Sequence, residues 1–358
     1  MNGALRVAVV GCGVIAHNYV RGAAGFDSFE IVACADMSAV VAEAFAAQHG
    51  LRTAPVDDVL ADPDVDVILN LTPPSAHAAV VRAAFEQGKH VYTEKPLATT
   101  VDDARSLVRE ATERGLRLGC APDTFLGGAY EAGRELLARG AIGEPLGVTA
   151  ALLVGGPDSW HPNADIFYRE GGGPMLDLAP YYLTAIASLL GPYTAATGFA
   201  ATPTRVRELG FGPRAGERFS VDVPTHVVAA LQLERGPLAA LTVSFEATDQ
   251  YVSWMQIHGS EGTLELPDAN AFEGQVRVRA PRGEWELVPY ESHGARETRG
   301  CGLHDLAEAL RADRAHRASG ELGLHVLEAA VAVLRAAENG RTVEIRSRVA
   351  SGTPQPHR

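Results

Sequence analysis

The sequence predicts an α/β chain in two parts, a doubly wound parallel sheet first and a largely antiparallel, one-sided sheet after it. Three observations carry this. Over the first third, short unalternated apolar runs interleave with helical spacings, the mark of parallel strands buried on both faces. Beyond about residue 225 the pattern changes to two-residue alternation. The length, 358 residues, fits two domains of roughly 100–200 residues each.

The elements follow in order. Residues 5–10 read as a strand, 15–22 as a helix and 30–35 as a strand. Residues 39–48 form a helix, with Val41, Ala44, Phe45 and Gln48 at three-four spacing, Ser38 as N-cap and Gly50 as stop. After Asp62-Pro63, residues 65–71 are a strand, 76–87 a helix closed by Gly88, and 90–93 the next strand. Thr100 caps a helix lined by Ala104, Leu107, Val108 and Ala111, which runs to Gly115 and leads into 116–121. The domain boundary is expected there, giving domains 1–121 and 122–358.

The second part opens with a helix over 128–139 and a strand over 147–154. A Gly- and Pro-rich loop then feeds a single helix over 176–190. Strands at 227–233 and 238–246 turn at Arg235-Gly236, and 253–258, 262–266, 276–280 and 284–288 continue an antiparallel meander. Two closing helices, 303–311 and 322–338, either pack on this sheet or return to the first domain.

Composition narrows the function classes. With 46% hydrophobic and 21% charged residues, the chain is neither a coiled coil nor a disordered polymer. Its 31 Lys+Arg against 44 Asp+Glu leave a net charge of −13 and no basic face for nucleic acid. The apolar and glycine stretch 7–16 has the length of a secretory h-region, but no small-residue cleavage pattern follows it closely. It reads as a buried strand and turn. No other run approaches the roughly 18 apolar residues of a membrane span, so a soluble, cytoplasmic protein is expected. Cys12, Cys34, Cys120 and Cys301 lie far apart and no histidine pair has ligand spacing, so no disulfide framework and no metal are expected.

The sharpest motif is Gly11-Cys12-Gly13-Val14-Ile15-Ala16, between a strand and a helix. Gly11 permits a tight turn, Gly13 lets the backbone approach a pyrophosphate, and Ala16 takes the third small position. The helix N-terminus adds N–H donors and a positive dipole end. Asp36 ends the next strand, where an acid would bind the adenosine ribose hydroxyls. Its charge opposes a 2′-phosphate and Met37 offers no cation, so NAD is expected over NADP.

Two further segments sit at strand C-terminal ends, where open α/β sheets bind ligands. They are Asn70-Leu71-Thr72-Pro73-Pro74-Ser75-Ala76-His77 and Thr93-Glu94-Lys95-Pro96. Lys95 is suited to hydrogen-bond a substrate hydroxyl and do acid–base work beside the positive nicotinamide ring; an exposed lysine at a turn is the plain alternative. His77 either caps the following helix or touches the cofactor. A third segment, Gly171-Gly172-Gly173-Pro174-Met175-Leu176-Asp177, feeds the helix that carries Tyr181, four residues beyond Asp177 and on its face. Together these two side chains can bind two hydroxyls, with Tyr181 relaying a proton, or can merely cap and pack. Trp160, His161 and Tyr168 in the preceding loop suit stacking on a sugar ring and hydrogen bonding at its edge, or simply anchor the loop. Asp123, with Thr124, follows the last strand of the first domain and is a further candidate substrate contact.

With these residues in hand, the chain resembles the glucose-fructose oxidoreductase/inositol dehydrogenase (Gfo/Idh/MocA) family. The glycine turn, Asp36, Glu94-Lys95-Pro96, the loop to Asp177 and Ile257-His258-Gly259-Ser260-Glu261-Gly262 carry the resemblance over nearly the whole chain. It implies an N-terminal Rossmann domain and a C-terminal α+β domain with an open-faced, largely antiparallel sheet. It also implies NAD(P)-dependent hydride transfer on sugars or cyclitols, and a homodimer or homotetramer formed through the sheet. The cofactor contacts would be Gly11, Gly13, Val14, Ile15, Asp36, Asn70, Thr72, Pro73, His77, Glu94 and Lys95. Lys95 falls on the family's catalytic lysine. Asp177 and Tyr181 fall on its Asp-x-Gly-x-His pattern, from which this chain departs at Ala179 and Tyr181. Tyrosine there is found in the sugar oxidoreductase-like and dihydrodiol dehydrogenase-like branches, which makes inositol a poorer substrate expectation. Two other outcomes of the resemblance are an NAD-dependent glycosidase working by transient oxidation and elimination, and a non-catalytic sugar or dinucleotide sensor.

Overall fold

The computed structural model describes residues 3–248, 250–292, 294 and 297–349. The chain forms two compact units: Met1–Leu126 with His293–Leu324, and Gly127–Ser292 with His325–Arg358.

The first unit holds six parallel strands in the order β3-β2-β1-β4-β5-β6. These are β1 (Leu5–Val10), β2 (Phe29–Ala35), β3 (Arg52–Thr53), β4 (Val67–Asn70), β5 (His90–Thr93) and β6 (Leu118–Cys120). The connecting helices are α1 (Val14–Ala23), α2 (Ala39–His49), α3 (Val56–Ala61), α4 (Pro74–Glu86) and α5 (Val101–Arg114). Every residue of β4 is buried, as the unalternated apolar pattern requires of a strand covered on both faces. The order reverses between β1 and β4, so the ligand crevice of this sheet type opens at their C-terminal ends. Ser38 and Thr100 cap α2 and α5 as expected, their hydroxyls accepting from the Val41 and Asp103 N–H groups, and Gly50 and Gly115 end the helices in the left-handed region. The short β3 and α3 carry too few residues to show a period, and the sequence did not reveal them.

Of the two closing helices, Cys301–Arg311 belongs to this first unit. His304 Nδ1 lies 2.6 Å from Ser28 Oγ, and Arg311 donates to the Ser28 carbonyl at 3.1 Å.

The second unit is built on nine strands in the order β16-β15-β14-β13-β7-β12-β11-β8-β17. In chain order its elements begin with α6 (Gly128–Ala138), β7 (Pro145–Val154), α7 (Pro174–Asp177), α8 (Ala179–Leu190) and β8 (Tyr193–Ala201). A separate ribbon pairs β9 (Val206–Glu208) with β10 (Arg218–Ser220). Then come β11 (His226–Leu233), β12 (Leu238–Ser244), β13 (Tyr251–Gly259), β14 (Thr263–Leu266), β15 (Val276–Arg279), β16 (Glu286–Val288) and β17 (Val343–Glu344). β7 and β12 run parallel, and the other neighbours pair antiparallel, so the sheet is mixed rather than a pure meander. Alternation buries Val227, Ala229, Leu231, Ala239, Leu241, Val243, Met255 and Ile257 on one face. The opposite face leaves Phe199 84%, Leu238 61% and Val228 45% exposed.

One helix expectation needs correction. The expected single helix 176–190 is two, broken at Leu178 between α7 and α8. Pro180 supplies the reason: it lacks an N–H and its ring clashes with the carbonyl four residues earlier, so it is tolerated only in the first turn of α8. No helix among the described residues is long and apolar enough to cross a membrane.

Candidate functional site

In the first unit the glycine turn leaves β1 at the sheet's switch point. Gly11 has φ +98°, and a Cβ there would stand 2.6 Å from the Leu71 carbonyl carbon, so only glycine lets the chain pass the end of β4. Gly13, the N-cap of α1, is exposed, and a Cβ on it would meet nothing within 4 Å. That open backbone with the α1 N-terminus behind it is a cradle for an anionic diphosphate. Val14 is 63% exposed beside it, Ile15 is half-buried, and Ala16 is fully buried under the turn.

The Asp36 carboxylate is fixed by backbone: Oδ2 accepts from Cys12 N–H and Oδ1 from Ser38 N–H, both at 2.9 Å. It stays half-exposed at the end of β2, and each oxygen keeps a further lone pair for a ribose hydroxyl. The open turn, the helix N-terminus and this carboxylate fit a dinucleotide.

The next two strand ends are tied together by side chains. Asn70 Oδ1 accepts from the Thr72 hydroxyl at 2.7 Å, and its amide donates to the His77 carbonyl at 3.3 Å. The His77 ring nitrogens lie 2.6 Å from the Pro96 carbonyl oxygen and 2.8 Å from that of Thr72. Glu94 accepts from the Tyr19 hydroxyl and from Lys95 N–H, both at 2.9 Å. Lys95 is thereby held half-exposed at the end of β5, while Thr72 stays half-exposed and Pro73 caps α4. Burial pushes the His77 ring toward its neutral form.

Four expected ligand contacts turn inward instead. Asn70, His77, Asp123 and Tyr168 are each 0% exposed and offer no surface to a ligand. Asn70 and His77 brace the loops just described. Asp123 pairs with Arg299 at 3.2 Å and accepts from Gly300 N–H at 3.0 Å, fastening the start of helix Cys301–Arg311. Tyr168 is packed with Ala164, Leu209, Val221 and Phe245, its hydroxyl donating to Asp158. In each case a buried polar group must find a partner inside the chain, and it finds one.

In the second unit the loop before α7 keeps Trp160 58% exposed and His161 half-buried. His161 Nδ1 accepts from Asn163 N–H at 3.1 Å, which places the ring proton on Nε2. Burial lowers its proton affinity against the opposing fields of Asp177 and Asp165, so it is neutral at pH 7 and a donor. Asp177 ends α7, and Tyr181 lies in the first turn of α8; both are half-exposed. The loop is anchored by Arg207, which is nearly buried and pairs with Asp158 and Glu246 at 3.0 Å each.

The sequence missed Arg207 and a pair next to Tyr181. Tyr251 opens β13, and its hydroxyl donates to Asp268, just beyond β14. No local spacing joins these residues; only strand pairing brings them together.

Comparison with known proteins agrees with this geometry. The model of the oxidoreductase family with an NAD-binding Rossmann fold, GFO/IDH/MocA, matches residues 5–121, and that of the GFO/IDH/MocA C-terminal domain matches 130–265. The chain is 28% identical over 353 residues to a 1,5-anhydro-D-fructose reductase of Ensifer adhaerens, covering 96% of this chain and 99% of the relative. It is 31% identical to a dTDP-3,4-didehydro-2,6-dideoxy-alpha-D-glucose 3-reductase of Streptomyces violaceoruber, covering 94% and 93%. The solved structure of a levoglucosan dehydrogenase in complex with NADH shares the fold, with a TM-score of 0.86 at 21% identity, over 96% of this chain and 100% of that one. A glycine turn at the switch point of a six-stranded parallel sheet and a mixed sheet domain thus occur in one chain, which belongs to the GFO/IDH/MocA oxidoreductase family.

Proposed function

We propose that this chain is an NAD-dependent oxidoreductase that moves a hydride between the nicotinamide and a ring hydroxyl or ketone of a sugar or sugar-like cyclic polyol. Lys95 and Tyr181 handle the proton. The observation that carries the reading is the setting of Lys95: half-exposed at the C-terminal end of β5, with its backbone N–H fixed by Glu94, in the sheet that carries the open glycine turn. The relatives named above as reductases of an anhydro-sugar and a dideoxy-sugar support the substrate class.

When bound, NAD supplies the hydride acceptor. The backbone at Gly11, Gly13, Val14 and Ile15 would hold its diphosphate and Asp36 its adenosine ribose. Thr72, Pro73, Glu94 and Lys95 would line the nicotinamide end. NAD is preferred to NADP because Asp36 repels a 2′-phosphate and Met37, 98% exposed, brings no cation. In oxidation Tyr181 or Lys95 takes the hydroxyl proton. Asp177 accepts from a neighbouring hydroxyl, His161 Nε2–H donates to a substrate oxygen, and Trp160 stacks on the ring.

The expected division 1–121 and 122–358 assigns the dinucleotide role to the first part and the substrate role to the second, except that 122–126 and 293–324 return to the first unit. The exposed sheet face around Phe199, Val228 and Leu238 is the association surface of a homodimer or homotetramer. A cytoplasmic setting accords with four cysteines that are all free and buried. The test is nicotinamide absorbance with a panel of sugars, cyclitols and keto-sugars, run in both directions with NAD and NADP. Turnover of at least one polyol, at least tenfold better with NAD, is expected. Binding of NAD without turnover of any panel member would overturn the reading.

A further inference from the structure

Tyr251 is an aromatic residue with no cover where cover is expected. By the two-residue period of β13 it lies on the same face as Met255 and Ile257, which are fully buried on the packed side of the sheet, yet it is 61% exposed. Its exposure therefore belongs to the end of the packed face, not to the open face of Phe199 and Val228. It pairs in register with Val154, the last residue of β7, from which the chain enters the loop of Trp160 and His161.

Its hydroxyl is also held in a defined state. Asp268 accepts from Tyr251 through Oδ2, and through Oδ1 from the buried Tyr182 hydroxyl and Asn270 N–H, both at 3.0 Å. Tyr182 is the chain neighbour of Tyr181 on α8, and Tyr181 lies within electrostatic reach of Tyr251. Since the Tyr251 proton is committed to a carboxylate and the Asn270 side chain also hydrogen-bonds the hydroxyl, what it can offer an incoming molecule is its remaining lone pair. It accepts and does not donate. A group of that kind recognises a hydroxyl and discriminates against a ligand lacking that hydrogen.

Resting on the polyol reading above, we propose that Tyr251, oriented by Asp268, is a specificity residue that accepts a hydrogen bond from a second hydroxyl of the substrate, close to the one that Tyr181 serves. The enzyme then selects vicinal diols over the corresponding deoxy compounds.

The test compares the wild type with Tyr251→Phe, which keeps the ring and removes only the hydroxyl. Levoglucosan, myo-inositol, D-glucose and 1,5-anhydro-D-glucitol are assayed with NAD, and the best of them is then assayed beside each of its monodeoxy analogues. The expected result is a loss of about 10- to 30-fold in kcat/KM with the full polyol, the scale of one hydrogen bond. With one deoxy analogue the wild type shows the same loss and the substitution adds nothing further, the sign of a direct pair. An equal loss with every analogue, or no loss at all, would overturn the assignment of Tyr251 while leaving the polyol activity standing. No turnover of any polyol by the wild type would overturn both, and so separates the two failures.

Discussion

The glycine-turn end of the first unit and the Tyr181 end of the second use side chains in opposite ways. Around the glycine turn, Asp36, Asn70, His77 and Glu94 all bind the chain's own backbone, so the surface left for a ligand is largely main chain. In the second unit Trp160, His161, Asp177, Tyr181 and Tyr251 stay partly exposed, and the bracing falls to Arg207, Asp158 and Asp268 behind them. A cofactor of fixed shape can be read by backbone. On the proposed reading, a substrate that differs between relatives is met by side chains, which can be exchanged without disturbing the fold.

This contrast can be broken at several points, the first expected to be the largest. Lys95→Ala should lower kcat about 10³-fold, the range of general acid–base catalysis, with the NAD dissociation constant little changed. Steady-state rates beside a fluorescence titration with NAD would show it; near-normal turnover would remove Lys95 from the chemistry. His77→Leu should cost about 1–3 kcal/mol, because the neutral ring donates its one N–H to one of the two carbonyl oxygens it faces, Pro96 or Thr72, and the substitution leaves that carbonyl unpaired. Chemical denaturation measures this, and a loss below about 0.5 kcal/mol would mean that His77 is no brace.

The second unit has its own buried histidine. His325 Nε2 accepts from Tyr193 N–H at 2.9 Å, and burial pushes its pKa down to about 4. As pH falls below about 6.5 the unfolded state takes the proton and the folded state does not, so stability present at neutral pH is lost between about 6.5 and 4. The loss should reach about 3 kcal/mol, and His325→Gln should flatten that part of the stability–pH curve. An unchanged curve would contradict the assignment. Smaller still, Asp36→Ala should reduce the preference for NAD over NADP about tenfold, read from kcat/KM with each cofactor. Trp160→Ala should leave stability within about 0.5 kcal/mol and raise the polyol KM several-fold. If it destabilised the fold as His77→Leu does, the contrast between the two ends would fail.

The sequence showed most of what is local. The glycine turn, the caps Ser38 and Thr100 and the buried parallel strands have signals within a dozen residues, and they stand where the pattern puts them. What lies across sheet pairings was not legible. The parallel joining of β7 to β12 and the meeting of Tyr182, Tyr251 and Asp268 depend on register between distant segments. Motif membership also did not tell inward from outward. His77 and Asp123 sit in segments that look like ligand contacts, yet their partners are carbonyls, an arginine and backbone amides of their own unit. Tyr168 reads as a loop aromatic suited to stacking until strands β9 and β10 and residues near them enclose it.

On the proposed reading, a carbon-bound hydride passes from a cyclic polyol to nicotinamide in this protein. The most direct test is to supply a turned-over polyol deuterated at every carbinol carbon and to weigh the reduced dinucleotide by mass spectrometry. One deuterium per NADH formed is predicted; unlabelled NADH, with the deuterium left on carbon or lost to water, would contradict it.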